Sequence, residues 1–168
     1  MRIHHIAIWT FRLEEMKKFY IRYFKGTSNE KYVNPQKGFE SYFIRFDCGA
    51  DLELMSRTDV QNTPIGENRL GLTHFAFALD SKEEVLELTE KLRSAGYTIS
   101  GEPRTSGDGY FESVVLDPDG NRVECVFKAA EKSFYTEFKS TSFVRHCTKF
   151  PTVSYTHLRA HETLSDLV

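Results

Sequence analysis

The chain has 168 residues, of which 40% are hydrophobic, and a formal net charge of −2. This length supports one full hydrophobic core and is short for two independent domains, and the small negative charge argues against nucleic acid as a partner. No stretch approaches the roughly 20 apolar residues of a membrane span, and the start MRIHHIAIWTF lacks a signal-peptide pattern, so we expect a soluble, cytoplasmic protein with no membrane partner.

The first part of the chain predicts one strand, one helix and three further strands. The first strand covers about residues 3–10, and Gly26 ends the helix that follows. Turn residues separate the later strands, at about 27–34, 40–47 and 51–56. In the helix, apolar residues at three- and four-residue steps form one stripe that can pack on a sheet: Leu13, Met16, Phe19 or Tyr20, and Tyr23.

The second part predicts the same plan. A strand covers about residues 70–79, and Ser81 caps a helix with Glu84 three residues on. That helix ends at Gly96 and places four apolar side chains inward: Val85, Leu88, Leu92 and Ala95. Three strands follow at about 97–104, 110–116 and 121–127, with a tight turn at 117–120 before the last of them.

Sequence similarity between the two parts indicates an internal repeat. His5-Ile6-Ala7-Ile8 matches His74-Phe75-Ala76-Phe77, and Leu52-Glu53-Leu54 matches Val123-Glu124-Cys125. The offsets are 69 (74 − 5) and 71 (124 − 53), and one short loop insertion accounts for the difference between them. We therefore predict an α+β fold of two tandem βαβββ modules, at about residues 1–57 and 70–128, joined by a linker at 58–69.

The repeat singles out two histidines on first strands, His5 and His74, and two glutamates on last strands, Glu53 and Glu124. Imidazole nitrogens and carboxylates suit Zn, Ni, Co, Mn or Fe(II), so these residues predict a divalent-metal site if the two sheets face each other. His4 points to the opposite side of the strand from His5, and we assign it a structural role or support of a ligand through its ring nitrogen.

The end of the chain contains another histidine pair, His157 and His161, with the spacing of one helical turn. Residues 153–163, VSYTHLRAHET, resemble a translated sequencing adapter, so we give this pair no functional weight. Residues 129–152 show no sustained helical or strand period. We predict a domain of residues 1–128 followed by a non-native or disordered tail at 129–168, and whether 129–152 are native stays open.

Four stretches together resemble the vicinal oxygen chelate superfamily, also called the glyoxalase/bleomycin-resistance/dioxygenase family: HHIAIWT at His4, LELMSR at Leu52, LTHFAFALD at Leu72 and DPDGNRVECV at Asp117. The resemblance implies a curved mixed sheet, or half-barrel, with the helices on its outer face. It also implies one divalent metal ion per site, Zn or Ni first and Co, Mn or Fe as alternatives, with four ligands: His5, Glu53, His74 and Glu124. A homodimer is implied by the resemblance alone.

The resemblance further implies a lyase or isomerase of the glyoxalase I type. Such enzymes bind two vicinal oxygens of a small carbonyl substrate at the metal and stabilise an enediolate. Glu124 is our first candidate for the catalytic base, with Glu53 as its partner. Two alternatives remain: an Fe(II) dioxygenase that uses His5, His74 and Glu124, or a metal-dependent resistance transferase. The substrate and any thiol cosubstrate stay open, and four arginines are candidates for an anionic substrate: Arg45, Arg57, Arg69 and Arg104.

Overall fold

The computed structural model describes residues 1–61 and 71–128, and these form two consecutive βαβββ modules. The predicted α+β class is confirmed. The first module comprises β1 (His5–Trp9), α1 (Leu13–Phe24), β2 (Thr27–Ser28), β3 (Tyr32–Asn34), a 3-10 turn (Pro35–Lys37), β4 (Phe39–Arg45) and β5 (Asp51–Arg57). The second comprises β6 (Phe75–Ala78), α2 (Lys82–Ser94), β7 (Ile99–Thr105), β8 (Phe111–Leu116) and β9 (Arg122–Phe127). The predicted tail at 129–168, most of the linker, and Arg69 lie outside the described residues.

Each module contributes one mixed sheet to the curved architecture. The strand order is β1-β5-β4-β2 in the first sheet, with β3 also paired to β4, and β6-β9-β8-β7 in the second. In both sheets the first strand of the module pairs in parallel with the last, and the other pairs are antiparallel. The repeat seen in the sequence is therefore a repeat of topology. Among the described residues, neither helix is long and apolar enough to cross a lipid bilayer.

Each helix covers one face of its own sheet. In the first module Ile44, Leu52 and Leu54 are buried beneath α1. In the second module Val115 and Val123 are buried beneath α2. Because side chains alternate along a strand, the neighbouring positions point to the opposite face of each sheet, which we call the open face. Three predicted ligands lie on the open faces: His5, Glu53 and Glu124. The fourth, His74, directly precedes β6.

The start of α2 and the end of α1 follow from local chemistry. Ser81 accepts a hydrogen bond from the Glu84 amide (3.1 Å), and the Glu84 carboxylate accepts one from the Asp80 amide (2.9 Å). These contacts satisfy amides that have no partner within the helix. After α1, Gly26 lies so close to β4 that an added Cβ would sit 2.5 Å from the Ile44 side chain. Only glycine fits at this position.

Three predicted details differ in the structure. The predicted strand at 27–34 is interrupted because the Asn29 side chain, instead of a backbone carbonyl, accepts the hydrogen bond of the Phe43 amide (2.7 Å). The strand predicted at 70–79 begins only at Phe75. Ala95, predicted to point inward, directly follows α2 and is exposed, whereas Thr89 within the helix is buried. Burial of Thr89 is tolerated because its hydroxyl bonds the Val85 carbonyl (2.6 Å) and the Ser113 hydroxyl (2.7 Å).

An aromatic cluster joins the two modules. Phe24 at the end of α1 packs against Phe77 of β6 with ring centroids 4.4 Å apart, and Phe46 packs against the same ring at 4.8 Å. Phe19 of α1 contacts Tyr97 of the second module at 4.8 Å. Aromatic pairs at these distances add to the free energy gained by burial. The amphipathic helix of the first module thus contributes to the core of both modules.

A buried hydrogen bond also links the modules. Tyr20 of α1 donates from its hydroxyl to Asp117 in the turn before β9, over 2.8 Å. Asp117 is almost fully buried and also accepts bonds from the amides of Asp119 and Asn121 and from the Asn121 side chain. Burial raises the pKa of Asp117, although its hydrogen bonds oppose this increase. The turn is therefore organised around one carboxylate that reaches across to α1.

We expect Tyr20→Phe to lower the free energy of unfolding by about 1–2 kcal/mol, because the change removes one partner of a buried hydrogen bond. Urea unfolding followed by circular dichroism measures the effect. Tyr32→Phe is the matched control, since Tyr32 is half exposed. Equal unfolding midpoints for the two variants would show that the bond contributes nothing measurable.

Candidate metal centre

The strand register places the two glutamates at equivalent positions. Glu53 lies opposite Ala7 in the β1–β5 pair, and Glu124 lies opposite Ala76 in the β6–β9 pair. In each case the alanine is two residues after the histidine and on the same face. Its small side chain leaves room for the carboxylate to lean toward the histidine. The H-x-A pattern of the sequence therefore has a steric basis.

Each histidine and the glutamate of its module form a pair. The Nε2 atom of His5 is 3.7 Å from the Oε2 atom of Glu53, and Nε2 of His74 is 3.4 Å from Oε2 of Glu124. We call His5 with Glu53 the first half-site and His74 with Glu124 the second half-site. In both, the histidine side chain is about half exposed, at 40% and 45%, while the glutamate is mostly covered, at 16% and 15%. The half-sites are thus alike and open to solvent on one side.

The donor atoms of each half-site fit one shared metal ion. Nitrogen and oxygen ligands lie about 2.0–2.2 Å from zinc, so two of them in tetrahedral arrangement are roughly 3.4 Å apart. The observed separations of 3.4 and 3.7 Å are close to this value. Neutral imidazole and carboxylate are also the ligand types that such ions bind. Each pair therefore suits a divalent ion in ligand chemistry and in the spacing of its two donor atoms.

The structure brings the predicted ligands together two by two. In the described ranges, no group of three or more His, Cys, Asp or Glu side chains is placed to hold a metal ion. The physical reason is the way the modules join: each half-site lies within one sheet, and the two sheets share no strand. The modules are connected by aromatic contacts of α1 and not by two sheets that face each other.

The first half-site has supporting contacts of its own. His4 Nδ1 lies 2.9 Å from His5 Nδ1, so one ring donates a hydrogen bond to the other. This contact agrees with the supporting role expected for His4. The ring of Phe43 contacts His5 edge-on, with centroids 5.4 Å apart. Arg45 pairs with Asp51, the residue opposite His5, at 3.6 Å.

The second half-site has polar neighbours that sequence reasoning missed in part. Glu112 of β8 is buried on the open face, contacts Glu124, and pairs with Arg104 at 2.8 Å. Burial raises the pKa of Glu124; His74 and Arg104 oppose this increase, and the Glu112 carboxylate adds to it. Arg104 was expected as an anion contact, whereas Glu112 was not identified. The register could have identified Glu112: it is two residues before Val114, which lies opposite Glu124, so Glu112 and Glu124 share a face.

Comparison with known proteins gives a consistent result. The family model described as the Glyoxalase/Bleomycin resistance protein/Dioxygenase superfamily matches residues 2–125. An uncharacterized Bacillus subtilis protein, YqjT, is 28% identical over 127 residues, which are 74% of this chain and 97% of that protein.

Solved structures show the same fold. A trypanothione-dependent glyoxalase I from Leishmania major has a TM-score of 0.62 and 23% identity over 76% of this chain and 87% of that chain. Glyoxalase I from Zea mays has a TM-score of 0.61 and 26% identity over 76% of this chain and 45% of that chain. A glyoxalase family protein from Enterococcus faecalis has a TM-score of 0.60 and 24% identity over 74% of this chain and 96% of that chain.

We expect Ala7→Leu to weaken divalent-metal binding about tenfold or more without lowering stability, because the larger side chain would displace the Glu53 carboxylate opposite it. Cobalt titration followed by visible absorbance measures the affinity. Ala95→Leu, at the exposed end of α2, is the matched control. Unchanged affinity in the Ala7 variant would contradict the role assigned to this alanine.

Proposed function

Because the chain belongs to the Glyoxalase/Bleomycin resistance protein/Dioxygenase superfamily, we propose that it is a divalent-metal-dependent lyase or isomerase of the glyoxalase I type, acting on a small carbonyl compound. The observation that carries this proposal is the matched pairing of an imidazole and a carboxylate in both modules, at 3.7 and 3.4 Å. A fourth ligand, which is the second carboxylate of the set, favours this chemistry over a triad of two histidines and one glutamate.

We propose further that the active form is a homodimer in which each site takes the first half-site of one chain and the second half-site of the other. Two donors fall short of the three or four protein ligands typical of zinc sites. The half-sites lie on separate sheets of one chain, and both are open to solvent. In a two-fold symmetric dimer, each chain would supply its first half-site to one site and its second half-site to the other.

His5, Glu53, His74 and Glu124 would hold the ion, with Zn or Ni as the first choice. The bound ion would polarise the substrate carbonyl and stabilise the negative charge that develops on its oxygen. Glu124 takes the proton from the carbon next to the carbonyl and returns it to the neighbouring carbon. We assign this role to Glu124 because burial and the adjacent Glu112 carboxylate raise its pKa, so that it accepts a proton more readily than an ordinary glutamate. Glu53 is the partner carboxylate.

The first test combines metal analysis with activity. Protein purified without chelator should hold about one divalent ion per chain and should isomerise the hemithioacetal of methylglyoxal with one of several thiols. Glu124→Gln should lower kcat by a factor of about 100 or more, since it removes the base. The exposed Glu87→Gln on α2 is the matched control.

Three results would redirect or reject this proposal. Absence of metal from the purified chain would reject the metal centre. Oxygen consumption without isomerase activity would indicate a dioxygenase that uses His5, His74 and Glu124. Transfer of a thiol or water to a drug molecule would indicate a resistance transferase. The same preparation serves for all three measurements.

The shared site is tested by mixing two inactive variants, His5→Ala and His74→Ala. In a mixed dimer, one site would carry both substitutions and the other would carry neither. Random re-association should therefore restore about a quarter of the wild-type activity per chain. If each site were formed within one chain, every site in the mixture would carry one substitution and no activity would return. Each variant alone is the control.

A further inference from the structure

A cavity lies on the first module, at the end of the sheet remote from the first half-site. Its volume is about 260 Å³, and its walls comprise two aromatic side chains, two basic side chains and one amide: Tyr32, Phe39, Lys37, Arg57 and Asn34. A neighbouring cavity of about 560 Å³ shares Asn34, Phe39 and Arg57 with it. No carboxylate lines the smaller cavity, so an anion entering it would meet two cations.

Aromatic rings beside this cavity are unusually exposed. Trp9 is 41% and Tyr32 is 53% exposed, although large apolar rings are normally covered in a stable fold. The Phe39 ring lies between them, with centroids 6.1 Å from Trp9 and 6.0 Å from Tyr32. The Arg57 guanidinium sits over the Trp9 ring at 5.1 Å. Together Trp9, Tyr32, Phe39, Lys37 and Arg57 form what we call the aromatic–basic pocket.

The aromatic–basic pocket is on the same open face as the first half-site. Trp9 is four residues after His5 on β1, and Arg57 is four residues after Glu53 on β5, so each pair points the same way. Four residues of strand span roughly 13 Å. One elongated molecule can therefore contact the pocket with one end and the first half-site with the other.

The second module repeats the arrangement in simpler form. Tyr110 and Lys128 are displaced by 71 from Phe39 (110 − 39) and from Arg57 (128 − 57), the same offset that relates Glu53 to Glu124. The Lys128 ammonium group lies over the Tyr110 ring at 4.7 Å. An aromatic residue and a basic residue thus recur at equivalent positions on both open faces, although in the first module the guanidinium lies over the Trp9 ring and not over Phe39. The recurrence of both residue types favours a role in binding over a chance surface contact.

We propose that the aromatic–basic pocket binds the non-reacting end of the substrate, and that this substrate is an organic acid with an aromatic or planar apolar body. Its carboxylate would contact Arg57 and Lys37, and its apolar body would lie on Trp9, Phe39 and Tyr32. This inference rests on the proposed function only for what happens at the reacting end of the substrate. Arg57 already pairs with Asp59, which is exposed, but a guanidinium has five donors and accommodates a second carboxylate.

A second copy of the chain is a weaker occupant of the same surface. It would have to present an acidic group next to an aromatic side chain to satisfy both parts of the pocket. A small acid does so by itself, and the larger cavity, of about 560 Å³, is in the volume range of small-molecule sites.

Trp9 is the single tryptophan of the chain and reports directly on the pocket. We expect 3-phenylpropionate to change its fluorescence saturably in the full-length chain treated with EDTA, with matching heat in calorimetry. The neutral 3-phenylpropionamide and the short propionate should each bind about tenfold or more weakly, since each lacks one recognised feature. Arg57→Gln and Lys37→Gln should weaken 3-phenylpropionate binding to a similar extent. Lys37→Gln is the cleaner variant, because replacing Arg57 would also remove the guanidinium that lies over the Trp9 ring.

Arg22→Gln and Lys18→Gln on α1 are the matched controls and should bind like the wild type. Absence of both signal and heat would overturn the proposal, as would equal binding of acid and amide. Loss of binding as the protein concentration rises would show that a second copy covers the pocket and would overturn it too. Because metal is absent from this assay, a chain that binds the acid but never a metal contradicts the proposed function alone. A chain that binds metal but not the acid contradicts only this inference.

Discussion

The parallel pairing of the first and last strand of each module is the constraint on which the candidate site depends. This pairing brings the histidine and the glutamate of a module, which are about 50 positions apart in the chain, close together at neighbouring strands of one sheet. Because the register sets alanine opposite glutamate, the carboxylate can reach the histidine two residues earlier. A shift of one residue would turn the carboxylate toward the helix, where it would be buried without a metal or a partner. The hydrophobic residues on either side of each glutamate prevent that shift, since they belong to the core.

The helices have a different structural role. Each must cover one face of its sheet, and α1 also provides the rings that pack against the second module. The modules are thus held together on the helix side, by aromatic packing and by the bond from Tyr20 to Asp117. The open faces are left free of that packing. This division explains how exposed side chains, among them the rings of Trp9 and Tyr32, remain on an otherwise well-packed domain.

The two half-sites share a plan but not their surroundings. Beside Glu53 the open face carries the aromatic ring of Phe43, which contacts His5, whereas the second half-site has Glu112 and its partner Arg104 near Glu124. An internal repeat therefore supplies matched His–Glu pairs, and the residues of the adjacent strands give the two pairs different surroundings. The proposed metal centre with one catalytic base would require such a difference, because the other carboxylate would have to stay a ligand.

The sequence alone was sufficient for the α+β class, the two βαβββ modules, the helix limits near Ser81 and Gly26, and the equivalence of His5 with His74. These features follow from local periodicity, capping and repetition, which act over a few residues. The break near Asn29, the burial of Thr89 and the position of Glu112 depended on partners in other strands or helices, which no local pattern encodes. The same holds for the site. The residue types predicted the donors, but only the tertiary structure decided that these residues lie in two pairs on separate sheets, because aromatic packing of α1 sets how the modules meet.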